Sequence, residues 1–204
     1  MYIPESYKIK DFSELYAFMS KWNFADLVTV NKGTLNSNKI PLLLDKENNC
    51  LYGHLGRTND QLQQLETADD LLVIFSGLHS YVSPRWHHND GMVPTWNFET
   101  VQVKGKASLL EYNELITMLE QLTKKHEGSS DSPWAMDELD TERKEKMLNA
   151  IVGFKIDIVH IEGKQKFSQI RSKEDRQAVV NALSVQKDQM AMTMATVMQN
   201  QLEE

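Results

Sequence analysis

The residues best suited to chemistry begin at His54-Leu55-Gly56-Arg57-Thr58-Asn59, read at the end of a strand. A bound phosphate needs fixed positive charge, further N–H or O–H donors and close backbone approach. Arg57 can meet two phosphate oxygens at once. Thr58 and Asn59 add donors, and Gly56 lets the backbone come near. If a helix comes next, its first N–H groups favour the same anion. A polar turn with a solvated arginine is the plainer alternative, and the pattern alone leaves both open. A second run, Gly163 to Arg171, carries Lys164, Lys166 and Arg171 with Ser168 and Gln169 among them. It reads as an anion site or, more simply, as a charged surface turn.

The segment from Tyr81 to Phe98, YVSPRWHHNDGMVPTWNF, holds two prolines, two tryptophans and two adjacent histidines. Pro84 and Pro94 do not fit a helix interior. Trp86 and Trp96 each offer an apolar face with one N–H. Set between strand-like runs, the segment is built to shape a site. His79, His87 and His88 read as solvated loop residues rather than metal ligands, because neighbours on a strand point to opposite faces and structural zinc takes four ligands. No GxSxG, Walker or GxGxxG pattern occurs, and Cys50 sits in a strand pattern as a core residue.

The elements around these residues come from spacing. Asp11 with Glu14 starts a helix carrying Phe12, Leu15, Tyr16, Met19 and Trp22. Strands are expected at 26–30, 39–44 and 50–55, separated by the turn-rich NKGTLNSN and DKENN, and a short helix at 61–66. The apolar 71–75 reads as a central strand. Val101 to Leu109 alternates cleanly. Helices are expected at 112–122 and 141–149, around the loop EGSSDSPWAMDE. A strand spans 152–161, a basic turn 163–171, and a final helix runs from Ser172 towards Glu204. Met190, Met194, Val197 and Leu202 form a stripe suited to packing. This order predicts an α+β chain: an antiparallel barrel or sandwich decorated by helices.

The 204 residues are 41% hydrophobic with a net charge of −7. That is enough for a packed core, and it disfavours broad electrostatic binding to DNA or an anionic membrane. One cysteine permits no intrachain disulfide. With no signal core and no membrane-length apolar run, the expectation is a cytoplasmic protein.

Taken together, MYIP, HLGRTN, YVSPRW…VPTWNF, VKGKA and GKQKFSQIR resemble the PaiB family, in the family's order and over residues 1 to about 184. The resemblance implies one FMN-binding split β-barrel domain over 1–184, with a Met-rich helix or tail at 185–204. It also implies a homodimer holding FMN at the subunit interface. Family members are negative transcriptional regulators linked to protease production and sporulation. Carried over by motif, Arg57, Thr58 and Asn59 face the FMN phosphate, and Trp96 and Asn97 lie near the isoalloxazine or brace its pocket. Lys164, Lys166, Ser168 and Gln169 complete the site from the same or the partner subunit. Arg85, His87-His88 and Ile170 depart from the family pattern and leave the phosphate turn intact. Regulation through DNA or a protein partner rests on family description alone. The acidic charge favours the protein partner. The rival readings are an FMN-dependent oxidoreductase and, further off, a haem protein using His79, His87 or His88.

Overall fold

The computed structural model describes residues 1–31, 33–67, 71–128 and 130–203. Its eight strands form one antiparallel sheet in the order β3-β2-β6-β7-β8-β5-β4, with β1 added on β8. The strands are β1 (Lys8–Ile9), β2 (Phe24–Asn31), β3 (Thr34–Pro41), β4 (Leu43–Asp45), β5 (Cys50–Gly56), β6 (Leu71–Val82), β7 (Thr95–Leu109) and β8 (Ile151–Lys166). The helices are α1 (Phe12–Lys21), α2 (Gln61–Thr67), α3 (Tyr112–Glu127), α4 (Thr141–Asn149), α5 (Lys173–Ser184) and α6 (Gln189–Glu203). The chain divides into two compact units that share β6, β7 and β8 in sequence. One comprises Met1–Phe18, Ser76–Val101 and Glu162–Glu204; the other comprises Met19–Phe75 and Gln102–Ile161.

In the second unit, β2 and β3 pair from Phe24↔Pro41 to Asn31↔Thr34. Residues 34–38 are thus strand, although their Asn and Ser content reads as a turn. An edge strand can be polar because only one side of it must pair, and Asn38 Nδ2 donates to Gln61 Oε1 at 2.7 Å. β3 and β4 are the two ends of the strand order, yet only Leu42 separates them. Pro41 and Leu43, at the two ends of the strand order, therefore lie within about 7 Å of each other. Leu42 donates its N–H to Asn23 O at 2.8 Å and is buried. Leu27, Leu51, Phe75, Val103, Phe154 and Ile156 fill the interior. Cys50 belongs to this core, where burial raises its thiol pKa. The β4–β5 turn is tied by Asp45, whose carboxylate accepts from Glu47 and Asn48.

In the first unit, β6, β7 and β8 continue and β1 joins β8 with Lys8↔Lys164 and Ile9↔Gly163. Residues 163–166 are therefore strand, and the turn is confined to the residues after Lys166. Asp11 Oδ1 accepts the Ser13 N–H at 2.7 Å at the start of α1, as its position predicts. The expected single C-terminal helix is two helices. Ser172 Oγ accepts the Asp175 N–H at 3.2 Å to start α5. Asp188 accepts from the Met190 and Ala191 N–H groups and starts α6 anew. The buried face of α6 is Ala191, Met194, Ala195, Met198 and Leu202, so small alanines replace Met190 and Val197 in the expected stripe. Glu204 lies outside the described residues.

Candidate cofactor site

The alternation of β6 changes phase within the strand. Leu71, Val73, Phe75 and Gly77 are buried, then Leu78, Ser80 and Val82 are buried. Two consecutive inward residues mark a bulge, which leaves a backbone group without its ladder partner. Here Glu99 Oε1 accepts the Leu78 N–H at 3.1 Å, and Glu99 Oε2 accepts from Gln165 Nε2 at 3.3 Å. Gly77 is required at this point, because a Cβ would sit 2.5 Å from Glu99 Oε1 and 2.7 Å from Phe18 Cε2. The phase change turns His79 and Tyr81 to the outer face.

That outer face carries a cavity of about 500 Å³, within the ~300–1,000 Å³ common for ligand sites. His79, Tyr81, Trp86 and Trp96 line it, with Lys187 and Asp188 from the start of α6. Trp96 and Tyr81 meet edge-on with centroids 6.1 Å apart, and Tyr81 and Trp86 do so at 6.4 Å. Trp96 is 53% exposed, whereas its neighbour Asn97 is fully buried. Strand geometry explains the split, because consecutive side chains take opposite faces. A planar, largely apolar ring system fits such an aromatic wall.

Asn97 packs beneath this wall. Its Nδ2 donates to Ser168 Oγ at 3.1 Å and approaches Met198 Sδ at 3.5 Å. Ser168 is buried and holds a left-handed φ of 61°, a conformation uncommon outside Gly, Asn and Asp. Gln169 ties the same turn, accepting the Phe167 N–H at 2.7 Å and donating to Gln165 O at 2.6 Å. Lys166 Nζ bonds Thr95 Oγ1. Burial first, then the neighbouring charges of Lys164 and Arg171, pull the Lys166 pKa below the ordinary lysine value. Lys164 lies 5.2 Å from the Phe98 ring centroid and opposite Lys8 in the β1–β8 pair. Like charges facing across strands are unfavourable unless an anion balances them.

In the second unit, Arg57 and Thr58 form the exposed turn after β5. Arg57 Nε donates to Asn149 O at 2.6 Å, and one Nη donates to Ile151 O at 3.0 Å. These bonds fix the guanidinium and leave at most three of its five N–H donors for a ligand. Asn59 Oδ1 accepts the Gln61 N–H at 2.9 Å, so this carboxamide caps α2, which is only seven residues long. Arg57, Thr58 and Asn59 thus belong to one unit, and Trp96, Asn97, Lys164, Lys166, Ser168 and Gln169 to the other.

Sequence reasoning passed over Glu99, took Gln165 only as part of the basic run, and took Asp175 only as part of a helix start. Glu99 carried a signal, since Asn97 and Glu99 share the inward phase of Val101 and Val103. Asp175 carried none beyond its place near a helix start. It is buried and accepts from the His88 N–H at 2.8 Å and from Asn89 Nδ2 at 2.7 Å. Bonding by the Asn89 side chain, above all, holds its pKa below the ordinary carboxylate value. His87 is not solvated as expected, because its side chain is 4% exposed with Nδ1 4.0 Å from Asp175 Oδ1. The loop closes over α5 and carries His87 inward.

Residues 1–160 match the family described as "Putative FMN-binding domain". Protease synthase and sporulation protein PAI 2 of Bacillus subtilis (strain 168) is 35% identical over 204 residues, 99% of this chain and 98% of that protein. The chain belongs to the PaiB family. Its cofactor is FMN. A protein of Emericella nidulans, AN0679, is 28% identical over 186 residues, 72% of this chain and 74% of that protein. Among solved structures, the flavocytochrome Anf3 from Azotobacter vinelandii aligns with a TM-score of 0.63 at 15% identity, covering 78% of this chain and 69% of that one. The FAD and heme binding protein from Mycobacterium smegmatis aligns at 0.62 and 15%, covering 78% and 73%. At such identities the likeness concerns the fold. No described helix is long and apolar enough to cross a membrane.

Proposed function

We infer that the chain is a PaiB-type regulator that binds FMN as a homodimeric split barrel, with the isoalloxazine against Trp96. The aromatic cavity of His79, Tyr81, Trp86 and Trp96 carries this reading, because it offers a planar ring the faces and the volume it needs. Two cationic groups are candidates for the phosphate: Arg57 with Thr58 and Asn59, and Lys166 with Lys164. Each offers fixed charge and donors. Asn97, Ser168 and Gln169 hold the turn and strand behind the ring rather than touching it. Bound FMN supplies electron transfer at its ring; the side chains bind and orient it and shield one face from water. The family likeness to PAI 2 supports a role in the control of protease production and sporulation genes. The acidic charge favours a protein partner over direct DNA contact.

The discriminating experiment is a parallel titration with FMN and riboflavin. Arg57→Ala or Lys166→Ala is expected to weaken FMN about tenfold or more and riboflavin little, since only FMN carries the phosphate. Equal losses for the two flavins would remove that residue from the phosphate site. A gel shift at about 0.15 M salt, compared with random DNA, decides between direct DNA binding and a protein partner.

A further inference from the structure

A second cavity lies in the unit that comprises Met19–Phe75 and Gln102–Ile161, and none of its lining side chains is assigned to the flavin. It is an open-sided hollow of about 240 Å³ between α3, α4 and the segment before α4, with Trp134 and Met147 at its exposed rim. Leu119, Trp134, Met147, Leu148 and Ile151 make its lining apolar, and His54 reaches it from β5. An apolar hole of about 150 Å³ can stay dry and take up benzene, so this one has room for a fused pair of rings. A Trp face and methionine thioethers favour aromatic contents over aliphatic ones.

His54 gives the cavity its polar character. The imidazole makes no side-chain hydrogen bond among the described residues, and its Nδ1 is buried without a partner. Buried polar nitrogens are ordinarily satisfied. Burial lowers the His54 pKa and so favours the neutral ring. Because Nδ1 is shielded from any ligand as it is from water, the acceptor offered to the cavity is Nε2, in the tautomer that keeps the proton on Nδ1. The one cation at the lining, Lys144, is already paired with Asp137 at 2.8 Å, so no anion is called for. The wall is held in place before any ligand arrives. The Trp134 backbone N–H donates to Glu127 Oε2 at 3.2 Å, and the Ala135 N–H donates to Glu138 Oε1 at 3.0 Å.

We propose that this cavity is a binding site for a small, neutral, bicyclic aromatic molecule that donates one hydrogen bond to the His54 imidazole. The site is separate from the flavin cavity in every lining residue, and it equips the protein to respond to an aromatic metabolite.

Calorimetric titration of the full chain with indole, and with benzofuran as its isostere lacking the N–H, tests this directly. Indole is expected to saturate one site per chain and to bind about tenfold more tightly than benzofuran. His54→Leu is expected to remove that preference while keeping benzofuran binding. Met147→Trp, which fills the hole, is expected to abolish both. Far-ultraviolet circular dichroism and thermal melting of the same variants report their folding independently of either ligand. The proposal is overturned if indole shows no saturable binding. It is equally overturned if His54→Leu leaves the indole preference intact, or if a folded Met147→Trp binds indole as the parent does.

Discussion

The Glu99 carboxylate accepts the Leu78 amide at 3.1 Å and so closes the hydrogen-bond gap of the β6 bulge. Because of that bulge, His79 and Tyr81 face the cavity instead of the core. Glu99→Ala should leave a buried N–H unpaired and cost about 1–3 kcal/mol. Gly77→Ala should cost a similar ~1–3 kcal/mol, since its Cβ meets Glu99 and Phe18 below 3 Å. Urea unfolding measures both. Unchanged stability in Glu99→Ala would show that water replaces the carboxylate.

Trp96 and Asn97 are neighbours on opposite faces of β7. Trp96→Ala should weaken FMN and riboflavin alike, by about tenfold, with little change in melting temperature. Asn97→Ala should instead lower stability by about 1–3 kcal/mol, because it strips Ser168 of its buried partner. Flavin titration and thermal melts, run side by side, separate the two roles. A Trp96 variant that lost only stability would move the ring elsewhere.

Acid should destabilise the second unit through His54. Burial sets its folded pKa below the ordinary value of about 6.5. The unfolded chain therefore takes up the proton first, and stability falls as pH drops through that value towards the folded pKa. His54→Leu should flatten the slope of melting temperature against pH between about 7.5 and 5. An unaltered slope would assign the acid sensitivity to another group.

Asp175 should matter in a lower window. Its folded pKa is depressed, so its contribution is present above about 3.9 and is lost as pH falls through the folded value. Asp175→Ala releases the His88 and Asn89 contacts at any pH. Limited proteolysis near residues 87–92 should then accelerate while flavin affinity changes little. Resistance equal to the parent's would mean that the loop is held by packing alone.

Local periodicity was enough for much of this molecule. The helix over Thr141–Asn149, the strand alternation from Val101, the start of α1 at Asp11 and the α+β class all come from spacing and capping residues, which are local properties. The family motifs named FMN as the cofactor and singled out Trp96, which lines a cavity. Other features depended on partners distant in the chain. The polar 34–38 is strand only because β2 offers it an edge. The two ends of the strand order, β3 and β4, come near each other because a single residue joins them. His87 is buried because Asp175, far along the chain, draws in the loop that carries it. The same holds for the bulge at Gly77-Leu78, since no local signal in β6 says that Glu99 will stand opposite an unpaired amide. Sequence determines which residues prefer to be inside. Only tertiary pairing decides which backbone groups lack partners, and those groups set where the inward phase shifts and where a cavity opens.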